Sequence, residues 1–110
     1  MTSSEPIVVL MTAANREEAN QIAELLVSAR LAACVQILPE IESVYRWHDE
    51  VKREKEILFL AKTTQSRFEE LESKVRAMHS YETPEIIAVP VTDSSAAYLG
   101  WLLAGLRENS

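Results

Sequence analysis

Three side chains, those of His79, Met78 and Met11, could together hold a soft metal ion. His79 follows Met78 where a helical pattern ends, and Met11 ends an apolar, strand-like run. An imidazole and two thioethers form a soft donor set, which suits copper(I) better than calcium or magnesium. Each residue also has an ordinary structural role, because methionine fills gaps in a core and a histidine at a helix C-terminus interacts favourably with the helix dipole. Taken singly, the structural roles are the more frequent ones.

The remaining chemistry-bearing residues give no assembled catalytic set. Glu54 and Glu56 lie on one face of a strand-like stretch, but the lysines and arginine around them favour a solvated, ion-paired surface. Cys34 lies in an alternating stretch and is typical of a small buried hydrophobe. The sequence contains no Gly-rich phosphate loop, no GxSxG, no HExxH and no CxxC. We therefore predict a protein that is not an enzyme.

Length and charge limit the class of protein. The 110 residues suit one domain, residues 1–110, of which we expect 1–6 to be a frayed lead. A net charge of −6 argues against a nucleic-acid partner, which needs clustered lysine and arginine. A single cysteine excludes a disulfide within the chain. We see no signal peptide and no apolar run of the roughly 20 residues that a membrane helix needs. These features predict a cytoplasmic protein.

Hydrophobic spacing predicts the elements that position the candidate residues. We expect strands at Ile7–Met11, Ala33–Leu38, Ile41–Trp47, Val51–Lys62 and between Pro84 and Pro90, and helices over 16–30, from Thr64 or Ser66 to Met78, and from Asp93 or Ser94 to Leu106. Asn15 and Glu18 form a capping-box pattern at the start of the first helix. Gly100 and Gly105 inside the last helix indicate close packing on that side, since each costs about 1 kcal/mol in helix propensity.

The order β-α-β-β-α-β-α predicts an α+β fold of the ferredoxin-like βαββαβ type, with a long hairpin and an added C-terminal helix. The second and third strands span about 20 residues, longer than usual, and carry a charged tip. The last strand lies between two prolines, which favours the edge of the sheet. A projecting hairpin and an edge strand predict self-association.

Five motifs in order make the chain similar to the CutA family of divalent-cation tolerance proteins. They are Arg30-Leu-Ala-Ala-Cys34, Ser43-Val-Tyr-Arg-Trp47, the charged stretch Lys52 to Glu56 leading to Lys62-Thr-Thr64, His79-x-Tyr81-x-Thr83-Pro84-Glu85, and Tyr98-Leu-x-Trp101-Leu102. The resemblance runs from about Ile7 to Leu106, nearly the whole chain.

The resemblance implies a ferredoxin-like homotrimer held by its long hairpin and edge strands, with tolerance to copper and other divalent metal ions. The resemblance also implies that copper binds to a cysteine at the end of the first strand and to a pair of histidines before the Tyr-x-Thr-Pro turn. By position these ligands fall on Met11, Met78 and His79, so only His79 keeps the family's residue type. A site of that kind would favour copper(I).

The family's similarity to PII-type proteins gives an alternative. The chain would then be a signalling or scaffold trimer whose inter-subunit clefts bind a small ligand or a partner protein. Aromatic and charged residues would line those clefts, namely Tyr45, Trp47, Lys62, Tyr81 and Glu85.

Overall fold

Strands and helices follow one another in the predicted order in the computed structural model, which describes residues 4–107. They are β1 (Pro6–Ala13), α1 (Arg16–Ser28), β2 (Cys34–Trp47), β3 (Glu50–Thr64), α2 (Phe68–Met78), β4 (Ile86–Pro90) and α3 (Ala96–Leu106), with a 3₁₀ turn at Gln65–Arg67. Residues 1–3 of the expected frayed lead lie outside the described residues. Pro6, also assigned to that lead, is instead the first residue of β1, where it pairs with Thr64.

The four strands form one antiparallel sheet in the order β2-β3-β1-β4. β1 is central, as predicted, with Met11 opposite Phe59 on one side and Ile86 on the other. β4 is an edge strand, which agrees with Pro84 shortly before it and Pro90 as its last residue. Pro39 coincides with a register shift between Ile37 and Glu40, because proline cannot donate to the ladder, so β2 continues with an irregularity.

The main core lies between one face of the sheet and the helices α1 and α2. Alternate residues of β1 and β3 point into it, as the two-residue period of a strand requires. Its fully buried members include Val9, Met11, Phe59, Ile22, Leu26, Leu71 and Val75. Burying a side chain such as Phe59 contributes about 1.5–3 kcal/mol.

The ends of the helices confirm one predicted cap and correct two. Asn15 accepts a hydrogen bond from the Glu18 N–H at 2.9 Å, as predicted for α1. Neither Thr64 nor Ser66 caps α2, because a 3₁₀ turn comes first and the two hydroxyls lie 3.1 Å from each other. The cap of α3 is Ser95, not Asp93 or Ser94, since the helix begins at Ala96 and Ser95 accepts from the Tyr98 N–H.

Beyond the end of β1 the hairpin continues as a two-stranded ribbon, residues 41–56, which we call the arm. β1 ends at Ala13 opposite Ile57, so the only strand pairing in the arm is that of β2 with β3. His48 and Asp49 turn the chain at its tip, both with positive φ. The arm makes the molecule elongated, with extents of 47 × 28 × 27 Å.

The sheet face opposite the main core carries apolar side chains that α1 and α2 do not cover. We call it the open sheet face, formed by Leu10, Leu58, Leu60, Ile87 and Val89. Ile87 is 53% exposed and Val89 is 44% exposed. Among the described residues, no helix combines the length and apolarity needed to cross a membrane.

Candidate functional site

His79 lies where the end of α2 meets the end of β1, so the two ends approach each other as expected. Its side chain is fully buried. The ring Nε2 is 2.7 Å from the Thr12 carbonyl oxygen, and Nδ1 accepts a hydrogen bond from the Tyr81 N–H at 3.0 Å. Because the carbonyl can only accept, the hydrogen must be on Nε2, and the imidazole is the neutral tautomer. Both ring nitrogens are thus engaged by the backbone.

Glu18 joins the start of α1 to the turn that follows His79. Its carboxylate accepts hydrogen bonds from the Ala14 N–H at 3.1 Å, the Ser80 N–H at 2.7 Å and the Ser80 hydroxyl at 3.1 Å. Burial raises the pKa of the Glu18 carboxyl, but the hydrogen bonds from Ala14 and Ser80 outweigh it, and the pKa is lowered overall. One carboxylate oxygen is also 3.9 Å from His79 Nδ1. Glu18 therefore fixes the position of the turn.

The other two predicted metal ligands lie in unlike surroundings. Met11 is fully buried in the main core, whereas Met78, the last residue of α2, is 36% exposed. Within residues 4–107, no three histidine, cysteine, aspartate or glutamate side chains are arranged to hold a metal ion. The two thioethers therefore stay predicted ligands.

Two tyrosine–carboxylate pairs lie where the turn after α2 reaches the arm. The Tyr81 hydroxyl donates to Glu56 at 2.7 Å, and the Tyr45 hydroxyl donates to Glu54. Burial, followed by the bond to Glu56, raises the pKa of Tyr81 well above its usual value. The bond to Glu54 raises the pKa of Tyr45. Each carboxylate thus has its own phenol as a hydrogen-bond partner.

Glu85 belongs to the same acidic surface. Burial, and then the charge of Glu56, raises the pKa of the Glu85 carboxyl. Lys62 lies elsewhere in the single chain, six residues along β3 from Glu56, or about 20 Å. Trp47 lies at the arm's tip, with its ring against His48. One chain therefore brings together Tyr45, Tyr81 and Glu85 of the predicted cleft residues, but not Lys62.

The sequence did not indicate the second role of Glu18 or the pairing of Tyr81 with Glu56. Glu18 matched a capping box, a local pattern that carries no sign of a contact 62 residues away. Tyr81 and Glu56 are 25 residues apart and meet only through the sheet topology. The only sign of this pairing in the sequence was that tyrosine and glutamate recur in the motifs.

The β1-α1-β2-β3-α2-β4 order with its antiparallel sheet defines a ferredoxin-like α+β protein, to which α3 is added. A family model described as CutA1 divalent ion tolerance protein matches residues 7–104. The chain belongs to this family.

Relatives and solved structures agree with that assignment. The chain is 47% identical to the divalent-cation tolerance protein CutA of Thermus thermophilus over 94% of its own length and 96% of that protein. It is 48% identical to the chloroplastic protein CutA of Arabidopsis thaliana over 92% of its length, but spans only 56% of that protein. The crystal structure of CutA1 from Oryza sativa superposes with a TM-score of 0.92 at 40% identity, covering 99% of this chain and all of that one.

Proposed function

We propose that this chain acts in divalent-cation tolerance as a cytoplasmic homotrimer, without a catalytic step. The observation that carries the proposal is the family match over residues 7–104, supported by a relative of nearly equal length whose name is divalent-cation tolerance protein. The cytoplasmic location rests on the sequence alone, since one relative is chloroplastic.

The arm and the open sheet face support the assembly. An isolated two-stranded ribbon is at best marginally stable in water, yet the arm extends seven ladder pairs beyond the core. Exposed apolar side chains on the arm (Val44, Trp47 and Val51) and on the open sheet face (Ile87 and Val89) need cover. A closed ring of copies covers both surfaces in every subunit.

Light scattering tests the assembly directly. We expect a particle of three times the chain mass of 12.4 kDa at micromolar concentration. A particle of one chain mass would contradict the trimer and remove any cleft between subunits.

We propose more specifically that copper binds at Met11, Met78 and His79. Its support is chemical, because imidazole and thioether ligands suit copper(I). To bind His79 Nδ1, the metal would have to displace the Tyr81 N–H. To bind Nε2, it would have to replace the hydrogen that Nε2 donates to the Thr12 carbonyl. Since that exchange costs a hydrogen bond, about 0.5–1.5 kcal/mol or more when buried, we expect weak binding.

A titration with copper(I) against a competing chelator tests this site. We expect Met78→Leu, a change on an exposed side chain, and His79→Ala each to weaken binding about tenfold or more. His48→Ala, at the arm's tip, is the matched control and should leave the affinity unchanged. Equal affinities for all four proteins would place copper elsewhere on the chain or show that it does not bind.

The alternative is a PII-like signalling or scaffold trimer whose inter-subunit clefts bind a small ligand or a partner protein. The observation that favours it is the grouping of Tyr45, Tyr81 and Glu85 around Glu54 and Glu56. Thermal-shift measurements with metabolites and with metal ions separate the two functions. A response to metabolites that Tyr81→Phe removes would support signalling, and a response to metals alone would contradict it.

A further inference from the structure

The side of β3 that belongs to the open sheet face carries opposite charges towards its two ends. Side chains alternate between the two sides of a strand, so the buried Phe59 and Ala61 point towards the main core and their neighbours point away from it. The row that points away is Lys52, Glu54, Glu56, Leu58, Leu60 and Lys62. From the arm towards α3 this row therefore passes through two glutamates and two leucines to a lysine.

Lys62, at one end of the row, has no anionic partner in its own chain. Its ammonium lies 5.4 Å from the centre of the Tyr98 ring on α3, a cation–π contact. Within residues 4–107, no carboxylate forms an ion pair with it. The lysine is half-buried, and a neighbouring copy on the open sheet face would remove more of its water. Because an unpaired charge that loses its water is costly, a covered Lys62 needs an anion.

Glu54 and Glu56, towards the other end, need a cation for the same reason. They accept hydrogen bonds from the Tyr45 and Tyr81 hydroxyls, respectively. Neither glutamate forms an ion pair in the part of the chain that the structure describes. Glu56 lies six residues from Lys62 along β3, or about 20 Å, so one chain cannot join the two ends of the row.

We propose that a second copy covers the open sheet face head to tail, with Lys62 of one copy paired with Glu54 and Glu56 of the next. The pairing rests on the proposed trimer and would be one of the contacts that hold it together. Opposite charges at the two ends, with leucines between them, favour a copy of the same chain over an unrelated partner.

A closed ring fits this arrangement, because the same two patches meet at every interface of a cyclic assembly. If the strands run around the ring axis, the leucines of the three rows face the centre and opposite charges meet at each junction. Each junction then brings Lys62 of one copy to Tyr45 and Tyr81 of the next. The lysine of the predicted cleft would thus come from the neighbouring chain.

Charge reversal tests the pairing in the full-length protein. Lys62→Glu places like charges at every junction, and Glu56→Lys does the same, so each should raise the dissociation constant of the assembly about 100-fold. The double variant with both changes restores opposite charges and should return the constant to within about tenfold of wild type. Sedimentation of a dilution series measures the four constants.

Lys74→Glu, on the exposed side of α2, is the matched control for Lys62→Glu and should leave the dissociation constant within about twofold. Lys62→Met removes the charge and keeps a long apolar side chain, so it tests the charge without introducing repulsion. Since salt screens charge pairs, added salt should weaken the wild-type assembly more than that of Lys62→Met.

The outcomes separate this pairing from the trimer itself. A wild-type particle of one chain mass would overturn both. A wild-type trimer that Lys62→Glu leaves intact, or that the double variant fails to restore, would overturn the pairing alone. A dimer that responds to the charge reversals in the expected way would support the pairing and overturn the trimer.

Discussion

The half of the sheet beneath the helices and the arm beyond it share two strands, yet different interactions stabilise them. On β3, Phe59 is fully buried against α1 and α2, whereas Val51, eight residues earlier, is 66% exposed. The surface ion pair of Arg53 with Glu42 and the longer one of Lys55 with Glu40 contribute little in water. The sheet under the helices therefore obtains its stability from its own chain, whereas the arm would obtain it from a neighbouring copy in the proposed trimer.

Replacing Phe59 with alanine should give the largest effect on the part of the sheet under the helices. A buried Phe→Ala change costs about 3–5 kcal/mol, from lost burial and the cavity that remains. Urea denaturation measures it as a lower free energy of unfolding. Val27→Ala, on the exposed side of α1, is the control and should stay within about 0.5 kcal/mol. A comparable loss for both variants would mean that the two positions do not differ in burial as described.

Replacing Trp47 with alanine should act on the arm instead. As a large aromatic side chain that is 52% exposed in one chain, Trp47 is the strongest candidate for an anchor between subunits. We expect the change to weaken association by about 2 kcal/mol, roughly 30-fold in the dissociation constant. Sedimentation of a dilution series measures the shift.

Trp101 on α3 provides a matched control for Trp47, since it is also 52% exposed. Trp101→Ala should leave the dissociation constant within about threefold, because Trp101 packs on Tyr98 in its own chain. If Trp101→Ala dissociates the protein and Trp47→Ala does not, the contact lies on α3 and the arm is not the anchor.

Periodicity predicted the sheet and the helices because burial imposes it. β1 and α1 each bury one set of residues at fixed spacing, and that spacing is visible in the sequence. Helix ends were less predictable, since several hydroxyl residues compete for one cap and the path of the incoming chain decides between them. The end of α1 was equally hard to predict, because Arg30 has a φ of +58° at a position where glycine is usual. Its guanidinium donates a hydrogen bond to the Gly105 carbonyl, 75 residues away in the sequence.

The site was less predictable than the fold because its contacts join distant segments. The sequence identified His79 as chemically notable, but not that Thr12 and Tyr81 engage both ring nitrogens. The residue type therefore suggested His79 as a metal ligand. The geometry shows that a metal could bind it only by breaking one of these two hydrogen bonds. The metal site at Met11, Met78 and His79 stays a prediction.

The two glycines of α3 extend the comparison to the added helix. A Cβ on Gly105 would lie 3.2 Å from the Ala33 Cβ, which confirms close packing there, whereas a Cβ on Gly100 would meet nothing within 4 Å. We expect Gly100→Ala to raise the free energy of unfolding by about 1 kcal/mol through helix propensity. Gly105→Ala should raise the free energy of unfolding by less, because the new methyl group would force Ala33 to shift. Thermal unfolding measures both, and loss of assembly in Gly100→Ala would show that another copy packs on this face.

Glu18 of α1 bonds to the start of the turn that follows α2, and Glu85 lies at the end of that turn. The two carboxylates should respond oppositely to loss of charge. The Glu18 pKa is lowered, so its contribution to stability is present above its usual pKa and is lost as the pH falls through the lowered value. Glu18→Gln should therefore destabilise the protein at pH 7, by about 1 kcal/mol for the weakened hydrogen bonds. The difference from wild type should shrink towards pH 3 in urea denaturation.

The Glu85 pKa is raised, so the folded state holds that proton more tightly and stability falls as the pH rises through the raised value. Glu85→Gln removes a partly buried charge and its repulsion by Glu56, and should stabilise the protein at pH 7 by a few tenths of a kcal/mol. The gain should disappear below the usual carboxyl pKa, where the wild-type group is neutral in both states. If Glu85→Gln instead destabilises the protein at pH 7, the carboxylate has a cationic partner on a neighbouring subunit, and this end of the turn would then depend on assembly, as we propose for the arm.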